Sequence, residues 1–338
     1  MPNDTQETRK LDHIDLALKA QITREEVDNR FYYEPLFHPH PTDETDLSLK
    51  FLGKKMNAPL WISSMTGGVG PAKHINQNLA RVCKEFGLGM GLGSCRVLLD
   101  SDLFFHDFNL RPILGSELPL YANLGIAQIE QLLARNNHHK ITDLIARLDA
   151  DGLIVHINTL QEWFQPEGDR LKSSPIETLT KLCTVINTKL IVKEVGQGLG
   201  PKSLKALLDL PIDAIELAAF GGTNFTKLEQ LRGKNLENFS SFAKVGHTAI
   251  EMISFLNSLA LENVNYRNKE IIISGGVEGI LDGFHLLEKL NFNSVIGQAK
   301  NFLKHAEDYE DLKKFTATQV NGLKLAKVCL MARNQETL

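Results

Sequence analysis

Between residues 156 and 170 the sequence reads HINTLQEWFQPEGDR, a run of side chains suited to anions, metals and neutral polar ligands. His156, Asn158, Gln161 and Glu162 follow directly on Gly152-Leu153-Ile154-Val155, a short apolar stretch with the character of a buried parallel strand. A histidine, two amides and a carboxylate at one strand end can converge on a ligand. Taken singly, each is as readily a solvated loop residue. Lys193 stands inside another apolar run, and a buried lysine needs a counter-charge or a ligand, because isolated burial removes its charge. An ion pair with Glu216 or Glu194 is the structural alternative. Glycine pairs at Gly67-Gly68, Gly221-Gly222 and Gly275-Gly276, and Gly297, also follow apolar runs. There the backbone N–H groups can approach phosphate oxygens without a Cβ in the way; the alternative is a turn.

The elements that must hold these residues recur from Pro59 onward. Short β-type runs end in glycine or polar residues and are followed by stretches of helical periodicity: 60–63, 88–93, 120–124, 153–158, 190–195, 214–219, 271–274 and 295–297. Between them, Ile75, Leu79, Val82 and Phe86 form a helical stripe, and Ser174-Pro175 sets a cap before a first-turn proline. Alternating strands and helices imply right-handed parallel βαβ units, and eight of them imply an α/β fold of the closed (β/α)8 TIM barrel type. Residues 1–55 read as an N-terminal extension, whose adjacent Arg9 and Lys10 are either solvated charge or an anion-binding arm that could contribute to the active site, and 56–338 as the barrel domain, whose C-terminal helix over 308–333 closes it. In such a barrel, ligand sites collect at the carboxyl ends of the strands. The polar residues and glycines above all fall there.

Composition narrows the partners. The chain has 338 residues and a net charge of −4 without a Lys/Arg-dense block, which argues against nucleic acid or a membrane surface and for a small molecule. Cys83, Cys95, Cys183 and Cys329 lie far apart, indicating neither a zinc site nor a disulfide framework. The N-terminal MPNDTQETRK has no apolar core of a signal peptide, and no apolar run reaches membrane-spanning length. A soluble, cytoplasmic protein is expected.

SMTGG, GS-x-R, ANLG, H-x-N-x-x-Q-E-x-x-x-P-E-G-D-R, VKEVG-x-G and GGTNF, in this order and on these strands, resemble the type 2 isopentenyl diphosphate isomerases. The resemblance runs from Arg9 to about Leu303. It implies an FMN-dependent (β/α)8 barrel of isoprenoid biosynthesis that interconverts isopentenyl and dimethylallyl diphosphate. It further implies Mg2+, NADPH as reductant, and a homo-oligomer, tetramer or octamer. By the same resemblance Ser64, Met65, Thr66, Ser94, Asn123, Lys193, Thr223, Gly275, Gly276, Val277, Gly297 and Gln298 would hold FMN. Arg9, Lys10, Arg96, His156, Asn158 and Gln161 would surround the prenyl diphosphate, Glu162 would ligate the metal, and Gln161, His156 and Lys193 would be the catalytic side chains. Lys193 would lie near the flavin's pyrimidine end, where a fixed cation favours the anionic reduced form.

The sequence departs from the family pattern at three places. Cys95 interrupts the usual GSQR, Glu216-Leu217-Ala218-Ala219 replaces Asp-Val-Ser/Gly-Gly, and Glu278 stands where arginine follows the Gly275-Gly276 loop. A carboxylate there repels a phosphate unless Glu278 turns outward or pairs with Lys300; the pairing is the expectation. Two other readings remain. One is a catalytically altered relative that binds flavin or a prenyl diphosphate without turnover. The other is an FMN-dependent oxidoreductase of the 2-hydroxy-acid oxidase type, which requires a histidine base and an arginine clamp at the late strand ends.

Overall fold

The computed structural model describes residues 6–64, 67, 68, 70–233 and 237–333. Eight parallel strands close into a barrel: β1 (Leu60–Ile62), β2 (Gly89–Gly91), β3 (Leu120–Gly125), β4 (Gly152–His156), β5 (Lys189–Lys193), β6 (Ala214–Glu216), β7 (Glu270–Ser274) and β8 (Ser294–Gln298). β8 returns to β1 with Ile296 opposite Leu60 and Gln298 opposite Ile62. The chain is thus a TIM barrel, and all eight expected strands are present.

Five strands end earlier than their apolar runs suggest, β1 and β2 among them, and for the other three the local reason is visible. β4 stops at His156 because Asn158 becomes the N-cap of the helix Thr159–Phe164. β5 stops at Lys193 because the next side chain, Glu194, folds back to accept the N–H groups of Gly196, Gln197 and Gly198. β6 stops at Glu216 because Ala218 takes a left-handed conformation at φ 42°. The closing helix also differs from expectation. It runs Tyr309–Cys329, capped by Asp308. Leu330–Ala332 leaves it to pair antiparallel with Phe31–Tyr33, so the C-terminal end is bound to the N-terminal segment as a ribbon.

That segment also seals the barrel floor. Leu49–Phe51 and Lys54–Met56 form a hairpin with Phe51 opposite Lys54, so its loop is Leu52-Gly53, both at positive φ, as a tight hairpin turn requires. Phe51, Leu52 and Met56 enter the barrel and pack with Trp61, Tyr121, Ile154, Ile191, Ala214, Ile272 and Val295, each 4% exposed or less. Above this apolar layer the inward residues become polar. Among the described residues no helix is long and apolar enough to cross a membrane.

Candidate active site

The carboxyl ends of the strands carry two adjoining patches. The first is a cleft of about 320 Å³ bounded by the ends of β1 and β5 to β8. On its floor Lys193 Nζ lies 2.9 Å from Oε1 of the fully buried Glu216. Ser274 Oγ donates to the same oxygen at 3.2 Å and accepts the Ala218 N–H at 2.9 Å. Of the two carboxylates open to Lys193, Glu216 takes it. Glu194 is spent on its turn, and burial raises its pKa. The cation expected from Lys193 is therefore half of a neutral pair.

Ser63 Oγ, Ser64 Oγ, Glu216 Oε2 and Gln298 Oε1 are buried without a hydrogen-bond partner, and all four residues line this cleft. An unmet buried polar atom costs about 1–3 kcal/mol, so their convergence marks a place for a polar ligand. Thr223, Val277 and glycines 221, 222, 275, 276 and 297 complete the wall. A Cβ on Gly275 would lie 2.0 Å from the Ala219 carbonyl oxygen, and Gly275 has φ +84°. Only glycine fits there, because the end of β7 packs directly on the backbone that follows β6. Lys300 and Lys304 stand at the outer edge.

The expected pair between Glu278 and Lys300 is not formed. Glu278 is exposed and has no ion pair among the described residues. Its N–H is held by Asp282 and its carbonyl faces Asn301, while its carboxylate stays in water, where pairing gains little.

The second patch lies on the ends of β2 to β4. Asn123 donates Nδ2–H to the Leu92 carbonyl at 3.0 Å, which turns its Oδ1 to His156 Nδ1 at 2.8 Å. The imidazole thus carries its proton on Nδ1 and leaves Nε2 as an acceptor. Burial, and after it the Lys193 charge, lower its pKa to about 4. His156 is neutral at physiological pH in this state. Asn158 Nδ2 donates to Glu162 Oε1 at 3.0 Å and to Gln161 Oε1 at 3.3 Å, whereas its own Oδ1 is buried without a partner. Glu162, 6% exposed, accepts the Asp169 N–H at 2.7 Å. Gln161 Nε2 reaches Glu229 Oε1 at 3.4 Å. Arg96 is half exposed, 3.0 Å from Asp169 Oδ2.

The structure thus brings Ser64, Lys193, Thr223, Gly275, Gly276, Val277, Gly297 and Gln298 together in the cleft. Asn123, His156, Asn158, Gln161 and Glu162 stand together beside it. Ser94 is exposed and outside the cleft lining. Met65 and Thr66 lie outside the described residues. Arg9 and Lys10 do not line the cleft; they sit on the helix Gln6–Ala17, and every described side chain from 8 to 29 is exposed.

Sequence reasoning missed Ser63, Asp169, Lys304 and the buried Glu229 as parts of these patches. Two of them had a signal: Ser63 opens the polar run at the end of the first strand, and Asp169 stands in the Pro-Glu-Gly-Asp-Arg loop. Among the described residues no three His, Cys, Asp or Glu side chains converge as a metal cluster. A metal here would have one carboxylate and water, as Mg2+ accepts when phosphate supplies other ligands.

No family model matches the chain. Curated proteins do. The isopentenyl-diphosphate delta-isomerase of Rickettsia akari (strain Hartford) is 33% identical over 340 residues, covering 98% of this chain and 95% of that protein. That of Rickettsia rickettsii (strain Sheila Smith) is 34% identical over 341 residues with the same coverage. Among solved structures, the recombinant flavin-binding domain of baker's yeast flavocytochrome b2 superposes with TM-score 0.59 at 13% identity, covering 88% of this chain and 72% of that one. A mandelate oxidase variant with a monooxide FMN adduct gives TM-score 0.53 at 9% identity, covering 90% and 88%. At these identities the structural likeness shows the barrel alone.

Proposed function

The chain belongs to the isopentenyl-diphosphate delta-isomerase family, and on that premise we propose that it interconverts isopentenyl and dimethylallyl diphosphate with FMN in the glycine-walled cleft, Mg2+ at Glu162 and NADPH as reductant. The observation that carries the flavin assignment is the set of four unpartnered buried atoms, Ser63 Oγ, Ser64 Oγ, Glu216 Oε2 and Gln298 Oε1, in one cleft whose wall includes glycines 221, 222, 275, 276 and 297. These suit a ring system that offers both donors and acceptors. Lys193, Thr223, Val277, Gly276 and Gly297 would complete its contacts, with Asn123 reaching it through the β3 end and Ser94 from the rim. For the metal, Glu162 would be the one carboxylate, and the unpartnered Asn158 Oδ1 beside it is a hard oxygen that could accept from a metal-bound water.

Moving a double bond by one carbon adds one proton and removes another, with no net redox change. Reduced FMN, when bound, supplies a proton donor and acceptor beside the alkene. The chain's residues do the holding. Gln161 is an amide that does not titrate, so its task is to place the isoprenoid carbons. Arg96, Asn158 and His156 would meet the diphosphate. His156 offers it only an acceptor nitrogen until the anion raises its pKa and Nε2 takes up a proton from solvent. Arg9 and Lys10 would join when the extension, residues 1–55, folds onto the mouth of the barrel domain, 56–338, or onto that of a second copy. Leu11, Ile14 and Leu18, exposed at helical spacing on the same segment, suit assembly as a homo-oligomer.

The oxidoreductase alternative lacks its parts, since neither histidine nor arginine lines the described cleft. An aerobic spectrum separates the proposal from an altered relative without flavin: a protein that stays colourless with high micromolar FMN ends the flavin assignment. An anaerobic assay with FMN, NADPH and Mg2+ then tests turnover. Glu162→Gln should lower Mg2+ affinity and activity together while flavin absorbance stays; full activity at low Mg2+ would move the metal elsewhere.

A further inference from the structure

We propose that Asp169 is a positioning residue that makes the diphosphate site favour a metal-bound diphosphate over the free anion. The inference deepens the reading above and rests on Arg96 as a diphosphate contact and Glu162 as the metal carboxylate. Asp169 stands between the two. Its Oδ2 accepts from Arg96 Nη1 at 3.0 Å and from Gln128 Nε2 at 3.2 Å, and its backbone N–H donates to Glu162 Oε2 at 2.7 Å.

The two sides of this bridge differ in rigidity. Gln128, 5% exposed, is itself fixed, because its Oε1 accepts the Gly125 N–H at 3.1 Å at the end of β3. Arg170 braces the other side by donating to the Glu162 carbonyl at 2.7 Å and the Trp163 carbonyl at 2.8 Å. The Asp169 carboxylate is therefore held in place, and the guanidinium of Arg96, 53% exposed, is the partner free to move.

A fixed carboxylate in this position acts with opposite sign on the two charges of the ligand. It cancels much of the field that Arg96 presents to a bare anion, and adds to the field that Glu162 presents to a dication. A diphosphate carrying its metal satisfies both. A free diphosphate must take Arg96 from Asp169 and then lie beside an unpaired carboxylate. A merely structural role would give the two effects the same sign, since a loosened loop weakens anion and metal alike.

The test is calorimetric titration of the full-length chain with inorganic pyrophosphate, once with EDTA and once with Mg2+. Asp169→Asn keeps the volume and the main-chain N–H to Glu162 but removes the charge; Asp169→Ser, read the same way, serves if the Asn variant does not fold. The expected result is metal-free pyrophosphate binding tightened about fivefold, with the advantage conferred by Mg2+ reduced by about as much. The tightening must vanish in the Arg96→Ala background. Metal-free binding that is weakened or unchanged, an undiminished Mg2+ advantage, or a tightening that persists without Arg96 would each overturn the inference. A wild-type chain that binds pyrophosphate under neither condition would instead refute the diphosphate assignment, and the inference with it. That failure shows as a flat titration rather than a wrong sign.

Discussion

At the amino end of the barrel Arg111 is 7% exposed and donates to the carbonyls of Asp149, Gly115 and Leu118 at 2.7 to 2.9 Å and to Asp151 Oδ2 at 3.0 Å. At the carboxyl end Arg96 is half exposed with one ion-pair partner, Asp169. The same contrast runs through the carboxylates. Glu270, at the floor, accepts the Leu52 N–H on one oxygen and the Asn293 amide on the other. Glu216, at the cleft, is more deeply buried and has one oxygen unmet. Polar groups at the floor are occupied with holding the hairpin plug, while those at the mouth keep capacity in reserve. Two floor-layer groups, Trp61 Nε1 and Tyr121 Oη, are also unmet; nothing in their apolar surroundings explains it.

The largest break in this comparison is Arg111→Ala. It strips Asp151 of one of its two cations and leaves buried carbonyls without donors, so it should lower unfolding free energy by about 3–5 kcal/mol. Arg96→Ala should leave stability within about 0.5 kcal/mol. Denaturant melts of both variants decide it. Equal losses would mean that the two ends are not built differently.

Next in size is the pH dependence that His156 imposes. Its folded pKa of about 4 lies below the free value, so between these two pH values the unfolded chain binds more protons. The stability associated with neutral His156 is therefore complete above about pH 6.5 and is lost as pH falls toward 4, by about 3 kcal/mol in all. Glu194 and Glu270 have raised values and contribute with the opposite sign. The difference between wild type and His156→Gln, measured by melts across pH 4 to 7, isolates the histidine. A difference that does not change with pH would show that His156 is not held neutral.

Smaller again is the charge at the outer edge of the cleft. With Glu278 in solvent, Lys300 and Lys304 would be the cations to meet the phosphate of an FMN bound as proposed. Each alanine variant should weaken FMN binding by about tenfold or less, and Glu278→Arg should tighten it slightly, all read by flavin fluorescence titration. Riboflavin, which has no phosphate, should bind wild type and lysine variants alike. Parallel losses for both ligands would mean that the lysines shape the loop rather than meet the phosphate.

The parts of this comparison that were legible in the sequence are those set by local pattern. Eight apolar runs became eight strands because each is buried on both faces, and Lys193 within one of them required a partner. The floor hairpin was not visible, because Lys50, Lys54 and Lys55 disguise a strand pair whose apolar residues point into the barrel. Nor could the sequence distinguish Glu216 from Glu194 as the partner of Lys193, since that depends on which carboxylate a three-amide turn consumes. Lys304 reads as an ordinary surface lysine until the cleft edge is seen beside it. Arg9 and Lys10 read from the residues alone as solvated charge or an anion-binding arm, and only the family motif gave that arm a ligand.

The smallest effect is expected at Ala218, set against a larger one at Leu52, and it tests the two ends at the level of the backbone. Ala218 at the cleft has φ 42° and Leu52 at the floor has φ 51°, a left-handed conformation that costs a side-chain-bearing residue about 1–2 kcal/mol. Both are anchored. Ala218 donates to Ser274 Oγ and accepts from Gly198 at 3.1 Å; Leu52 donates to Glu270 and accepts from Lys189. What offsets the strain differs. Leu52, 4% exposed, buries a whole side chain in the barrel, whereas Ala218 buries one methyl group at the cleft. Glycine at 52 relieves strain but empties the plug, so Leu52→Gly should destabilise by about 2–4 kcal/mol. Glycine at 218 relieves the same strain and forfeits only the methyl and some unfolded-state entropy, so Ala218→Gly should stabilise by up to about 1 kcal/mol. Thermal melts at matched concentration read both signs. If Ala218→Gly lost stability as Leu52→Gly does, Ala218 would be a packing residue like those of the floor, and the cleft wall would owe its shape to that methyl rather than to the turn.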